Sequence, residues 1–243
     1  MLISLIKGAP ALLIRKERVL VVGDLHIGID LKYRASGIHF QGATNKLAEQ
    51  LLETYKKSGA RSIVILGDVK ESIGYPRFGE FMELKRFFEA LKGIDIRIVK
   101  GNHDGGLDRV LKNLELNIVI EKEVLTDNIA MIHGNAWPSD EAMQKRYLIT
   151  AHEHLAIDVD GKKGKVWLIA KASKKASGKY VKFNKDIKLV VVPPFNELVL
   201  GSEITEGIKK RMPLFRENVF DWKSARAYDL EKGLHKVANA RNS

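Results

Sequence analysis

Five short words in this chain consist of residues that bind divalent metal ions: Asp24-Leu25-His26, Gly67-Asp68, Gly101-Asn102-His103-Asp104, His133-Gly134 and His152-Glu153-His154. Five of the seven histidines lie inside them. Asp24, His26, Asp68, Asn102, His133, His152 and His154 together offer oxygen and nitrogen donors for two divalent ions, if one carboxylate bridges. Two ions about 3.5–4 Å apart would turn a bridging water into hydroxide near neutral pH and hold the oxygens of a phosphoryl group. That is hydrolysis without a protein nucleophile. In an extended segment alternate residues point the same way, so Asp24-x-His26 and His152-x-His154 would each aim two donors at one ion. Glu153 should then point away, towards solvent or a basic neighbour. The chain has no cysteine, which leaves nitrogen and oxygen as donors and favours Mn, Fe, Mg or Zn over a structural zinc finger.

Each word follows an apolar run or lies just past its end. Val19–Val22, Ser62–Leu66 and Ile94–Val99 are short buried-strand patterns, and they deliver the first three words. Between them, Thr44 to Lys57 carries Leu47, Leu51 and Tyr55, and Phe78 to Leu91 carries Phe81, Leu84 and Phe88, both at helical spacing. Alternating strand and crossover helix predicts a largely parallel sheet whose strand ends line a crevice. A helix is predicted over Gly106 to Leu114. Strand-like segments then crowd together at Asn117–Ile120, Ile129–Ile132, Tyr147–Thr150, Val166–Ala170, Lys188–Val192 and Glu197–Leu200, with one helical break around Ser139 to Lys145. They predict a second, more antiparallel sheet packed on the first.

At 243 residues with 45% hydrophobic residues, the chain can bury a real core. No apolar run reaches the roughly 20 residues of a membrane span, and Met1 to Ile6 lacks a basic start and a cleavage site, so the expected location is the cytoplasm. No linker or repeat divides residues 1–202, read as one domain. Residues 203–243 are read as a basic, partly ordered extension packing on it, with disorder from Asn239 to Ser243. The net charge of +11 would draw the chain towards polyanions such as nucleic acid. A Lys/Glu-rich, cysteine-free composition also suits adaptation to heat, and much of the excess falls in Lys162–Lys188, read as a solvated hairpin.

The order Asp-x-His, Gly-Asp, Gly-Asn-His-Asp, His-Gly, His-x-His over residues 24 to 154 resembles the calcineurin-like metallophosphoesterase superfamily. Gly67-Asp68-Val69-Lys70 and Pro193-Pro194-Phe195-Asn196 are similar to words of its small prokaryotic ICC-like, or DNA-ligase-associated, subgroup. The resemblance implies an α/β fold, a four-layer α/β/β/α sandwich of two mixed sheets flanked by helices. It implies Asp24, His26, Asp68 and His154 around one metal, and Asp68, Asn102, His133 and His152 around the other. The metals would be manganese first, with iron, zinc, nickel or magnesium as alternatives. His103 would protonate the leaving alkoxide, as imidazole can near neutral pH, with Asp104 orienting its ring.

Other readings stay open residue by residue. Asp24 or Asp68 alone could be a helix cap or a turn residue, His133 a core histidine, and His39 and His235 match no motif. Lys32, Arg34 and His39 follow the first word in a segment read as irregular, where they would grip phosphate or simply meet solvent. Trp137 beside Pro138 could stack on a base or only pack. Val69-Lys70-Glu71 offers neither the Asp nor the Arg of the protein serine/threonine phosphatases, which argues against a phosphoprotein substrate. The expectation is a dinuclear phosphoesterase acting on phosphodiesters in preference to monoesters. A nuclease acting on DNA or RNA and a non-catalytic metal-binding scaffold are the alternatives, and a homodimer is compatible with either.

Overall fold

The computed structural model describes residues 2–159, 162–174, 178–230 and 236–239. The first sheet contains β1 (Ile3–Leu5), β2 (Leu12–Ile14), β3 (Val19–Val22), β4 (Ser62–Ile65), β5 (Asp95–Val99) and β6 (Val119–Glu121), in that spatial order. β3 to β6 run parallel, and β1 and β2 pair antiparallel at the edge. The helices are α1 (Ile29–Ala35), α2 (Ala43–Ser58), α3 (Phe78–Ala90) and α4 (Leu107–Asn113). The second sheet is built from β7 (Glu123–Leu125), β8 (Ile129–Ile132), β9 (Tyr147–Thr150), β10 (Leu155–Val159), β11 (Lys162–Lys171), β12 (Lys188–Val191), β13 (Ser202–Glu203), β14 (Arg226–Asp229) and β15 (Lys236–Asn239). It is mixed, since β8, β9 and β12 lie parallel while β11 pairs antiparallel with β10, β12 and β14.

The inner strands β3 and β4 are apolar at all but Ser62 because both of their faces are covered. In β3 and β4, Leu20, Val22, Ile63 and Ile65 meet Leu47, Leu51, Leu84 and Phe87 of the helices. Val21 and Val64 point the other way and pack between the sheets against Met131, Ile149, Trp167 and Val190. The outer face of the second sheet, with Leu148, Leu168, Leu189 and Val191, is covered by α5 (Glu206–Arg211) and α6 (Pro213–Arg216), through Ile208, Leu214 and Phe215, and by Phe220 and Trp222 in the segment that follows. Three cores thus separate four layers, helices, sheet, sheet, helices.

Three local expectations are corrected. Ile29 to Ala35 is a helix, not an irregular loop; its start at Gly28 has φ 95° and no side-chain cap, and Asp30 is its one buried residue, so it carries no apolar stripe to read. Glu197 to Leu200 is a turn, begun by Asn196 Oδ1 accepting the Leu198 N–H at 2.9 Å. Around Ser139 to Lys145 only Ala142–Gln144 is helical, as a 3-10 turn, with the Ala142 N–H donating to Ser139 Oγ at 3.0 Å. Lys162 to Lys188 does contain an antiparallel pairing, β11 with β12, but Val166, Trp167 and Leu168 are buried in it. His235 and residues 240–243 lie outside the described residues.

Candidate metal centre

Five parallel-running strands end at one place. Asp24 and His26 follow β3, Asp68 follows β4, Asn102 and His103 follow β5, His133 follows β8, and His152 and His154 follow β9. The loops are tied to each other by backbone bonds, His26 N–H to Asp68 C=O at 2.8 Å and Ala151 N–H to His133 C=O at 2.8 Å. The sheets are joined at this point by the His152 N–H, which donates to Asp24 Oδ2 at 3.1 Å. The Pro193–Asn196 segment braces the first loop, with the Phe195 N–H on the Gly23 carbonyl at 2.9 Å and Asn196 Nδ2 on the Leu25 carbonyl at 2.7 Å.

The backbone does not present the donors by extended alternation, as the x-spacings had suggested. Asp24, His26, Asp68, His152 and His154 have φ of 54°, 41°, 49°, 74° and 45°. These five are among only eight non-glycine residues at positive φ in the described chain. Each such conformation costs on the order of 1–3 kcal/mol and persists where surrounding structure imposes it, typically at functional sites. The loops also approach so closely that a side chain is forbidden at two positions. A Cβ on Gly101 would stand 2.2 Å from Asp68 Oδ1, and one on Gly67 would stand 2.7 Å from His133 Nδ1.

The structure brings all seven candidate donors into one cluster with two lobes. Ligand atoms of Asp24, His26, Asp68 and His154 lie within 4.8 Å of one another, as do those of Asp68, His133 and His152. Asp68 belongs to both. Its Oδ2 lies 3.3 Å from His133 Nε2 and 3.7 Å from His26 Nε2, while Oδ1 accepts the His103 N–H at 2.8 Å. Asn102 Oδ1 is 3.2 Å from His133 Nε2. Asp24, Asp68 and His133 are buried.

The donor set fits divalent ions. His133 Nδ1–H donates to the Leu66 carbonyl at 2.6 Å and His26 Nδ1–H to Glu71 Oε2 at 2.8 Å. With Nδ1 so engaged, a neutral ring at either position would turn its Nε2 lone pair into the cluster, the arrangement that second partners impose on metal-binding histidines. There His133 Nε2 meets His152 Nδ1 at 3.1 Å and His26 Nε2 meets His154 Nε2 at 3.3 Å. Two carboxylates and several ring nitrogens converging out of water call for positive charge between them, which a divalent ion would supply. Without an ion, the carboxylates draw a proton onto His133 instead. Burial alone would lower His133, yet the bond to Asp68 and the charge of Asp24 push it up to about 9. Burial would raise the Asp68 carboxyl, but His133, the His103 N–H and His26 hold it well below the usual range. Burial and the neighbouring His133 charge push His152 down to about 4, leaving it a neutral donor.

The sequence model of the calcineurin-like phosphoesterase superfamily domain matches residues 18–173, well over half of the chain and all seven donors. The chain belongs to this superfamily. It is therefore a hydrolase acting on ester bonds, and the family implies divalent metals. Among solved structures the chain is similar to nuclease MPE of Pseudomonas putida, at 17% identity and a TM-score of 0.62 over 95% of this chain and 97% of that one. That is a likeness of fold. It is also similar to YfcE, a phosphoesterase from E. coli, at 20% identity and a TM-score of 0.38 over 73% of this chain and 79% of that one. Comparison with curated protein sequences gives no match. No helix among the described residues is long and apolar enough to cross a membrane.

In this phosphoesterase Asp104 does not orient the His103 ring. Its buried carboxylate accepts the N–H groups of Asp68, Val69 and Gly101 at 2.9, 2.9 and 2.8 Å, stitching the second and third loops together. The His103 ring is held by the Glu71 carbonyl, which accepts from Nδ1 at 2.5 Å. Of the three candidate substrate residues, Lys32 reaches the cluster, through Glu71 Oε1 at 2.9 Å. Arg34 lies 4.0 Å from Asp30 on its own helix, and His39 lines a separate cavity of about 410 Å³ with Phe40, Lys46 and Gln50. One face of Trp137 is taken by the Lys179 ammonium, 3.4 Å from the ring centre. Glu153 is half-buried, its carboxyl raised by burial and opposed by the charge of Arg211, a basic neighbour.

Glu71 is the functional residue that sequence reasoning missed, having registered only as a departure from the phosphatase pattern. Burial would raise its carboxyl, but bonds from His26 and Lys32 hold it down at about 2. Glu71→Gln keeps the shape and removes the charge behind His26. Metal affinity, measured by titration of the metal-free protein, is expected to fall about 10–100-fold, the usual cost of losing such a partner. An unchanged affinity would remove Glu71 from the site.

Proposed function

We propose that this phosphoesterase hydrolyses phosphodiesters at a dinuclear centre, with Asp24, His26, Asp68 and His154 holding one ion and Asp68, Asn102, His133 and His152 the other. The observation that carries the reading is the pair of donor groups sharing Asp68. Manganese is the first choice among the ions that such a nitrogen and oxygen donor set accepts, with iron, zinc, nickel and magnesium as alternatives. When bound, the ions supply Lewis-acid polarisation of the phosphoryl oxygens and activate water at neutral pH.

The remaining work falls to His103. Its Nδ1 proton is committed to the Glu71 carbonyl, so Nε2 is the atom that hands a proton to the departing alkoxide. Its ring centre lies 4.8 Å from that of His26, and its ring groups with His26 and Glu71 rather than with the two donor groups that share Asp68. Two features support a diester. A monoester dianion calls for additional cations, yet Lys32 is paired with Glu71 and Arg34 with Asp30. The loop running on from Glu71 also exposes Ile73 and Tyr75, and the start of α3 exposes Phe78, a surface for a second ester group.

A polynucleotide is the second reading, favoured by the net charge of +11 and by the likeness in fold to a nuclease. The metal-reconstituted protein is to be assayed on bis-p-nitrophenyl phosphate, p-nitrophenyl phosphate, cyclic nucleotides and short oligonucleotides. The expected result is a kcat/KM for the diester at least about tenfold above that for the monoester. Activity on the monoester alone overturns the diester reading. Oligonucleotide cleavage that weakens steeply with salt selects the polynucleotide.

A further inference from the structure

Lys70 is fully buried, at 0% exposure. Lysine is almost never found so unless its ammonium is paired. Here Nζ donates to the carbonyls of Ser72, of Gly74 at 2.6 Å and of His103 at 2.6 Å. Three donors meet three acceptors, and the ammonium is saturated. None of the three acceptors is a carboxylate, so the side chain is spent on fixing the path of the backbone.

The path it fixes is the one that holds the His103 ring. The Glu71 carbonyl, which accepts from His103 Nδ1, lies between Lys70 and the carbonyls of Ser72 and Gly74 that Lys70 binds. The Ser72 N–H is anchored in turn on Glu80 Oε1 at 2.8 Å. From the other side, Lys70 grips the carbonyl of His103 itself. Both the main chain of His103 and the acceptor for its ring are therefore secured by one ammonium. The same Glu71 sends its carboxylate to His26.

We propose that Lys70 is a positioning residue for proton transfer, holding the Glu71–Gly74 loop against the His103 peptide so that the His103 ring is aimed at the leaving group. This rests on the reading of His103 as the general acid. A residue acting this way matters in proportion to how much the leaving group needs a proton. Diphenyl phosphate and bis-p-nitrophenyl phosphate share a diaryl phosphate core and differ by a nitro group on each ring, and the first releases the more basic phenoxide.

The test compares Lys70→Met with the wild type on both esters, with metal content measured alongside. The expected loss of kcat on diphenyl phosphate exceeds that on bis-p-nitrophenyl phosphate by about tenfold or more, with KM and metal content unchanged. His103→Ala is expected to show the same discrimination, and adding Lys70→Met to it should add none. Equal losses on the two esters, or loss of metal, make Lys70 a purely structural residue and overturn the inference. If His103→Ala itself shows no discrimination, the general-acid reading fails, and the role of Lys70 with it. If discrimination appears in His103→Ala but not in Lys70→Met, only the inference on Lys70 fails. Should Lys70→Met not fold, the same comparison is read on Lys70→Gln and Lys70→Arg, with Lys70→Arg expected to recover the larger share of activity on diphenyl phosphate.

Discussion

Replacing Asp68 with alanine is expected to abolish binding of both metal ions and to lower hydrolysis by at least about a thousandfold, because metal-ion stabilisation of the transition state contributes several kcal/mol. No other residue belongs to both groups of donors. Its Oδ2 faces His133 and His26 at once, and its Oδ1 carries the main chain of His103. Removing it therefore uncouples the two lobes from each other and from the proton donor. Asp68→Asn separates charge from shape, since an amide oxygen still accepts the His103 N–H. It too should lose metal, while its thermal unfolding stays near that of the metal-free wild type. Metal content by mass spectrometry, read with activity on bis-p-nitrophenyl phosphate, checks both variants. Substantial activity in Asp68→Ala would sink the dinuclear mechanism.

The second large effect concerns His103. His103→Ala should retain both ions, because the ring stands outside the two donor groups that share Asp68, although it lies close to His26 and Glu71. Its kcat on an ester with a basic leaving group should nevertheless fall about 10²–10⁴-fold, the usual contribution of a positioned acid. The loss on a p-nitrophenyl ester should be much smaller. A variant that instead loses metal would mark His103 as a ligand.

Much of the fold was legible because of how its strands are buried. β3 and β4 are covered on both faces and β5 is covered at Ile96, Ile98 and Val99, which leaves apolar runs that end at the chemical words. The order of those words then led to the superfamily. What could not be read depends on contacts between loops distant in sequence. Glu71 and Lys70 look like a surface acid and base until the fold places His26 and His103 around them. Asp104 sits next to His103 in the sequence and was assigned to its ring, whereas three buried N–H groups claim its carboxylate. The left-handed backbone at Asp24, His26, Asp68, His152 and His154 had no sequence signal either, since tertiary packing imposes it against local preference. α1 carries too few buried positions to show a helical period. The segment after Ser202 reads as irregular, yet Phe215, Phe220 and Trp222 complete one of the three cores, because large apolar residues there pack in short turns rather than at a regular period.

The five words should build one centre for two ions with Asp68 between them. Anomalous diffraction from crystals grown with manganese tests it most directly. Two peaks are expected on either side of the Asp68 carboxylate, one beside Asp24, His26 and His154 and the other beside Asn102, His133 and His152. A single peak, or ions bound away from Asp68, would contradict it.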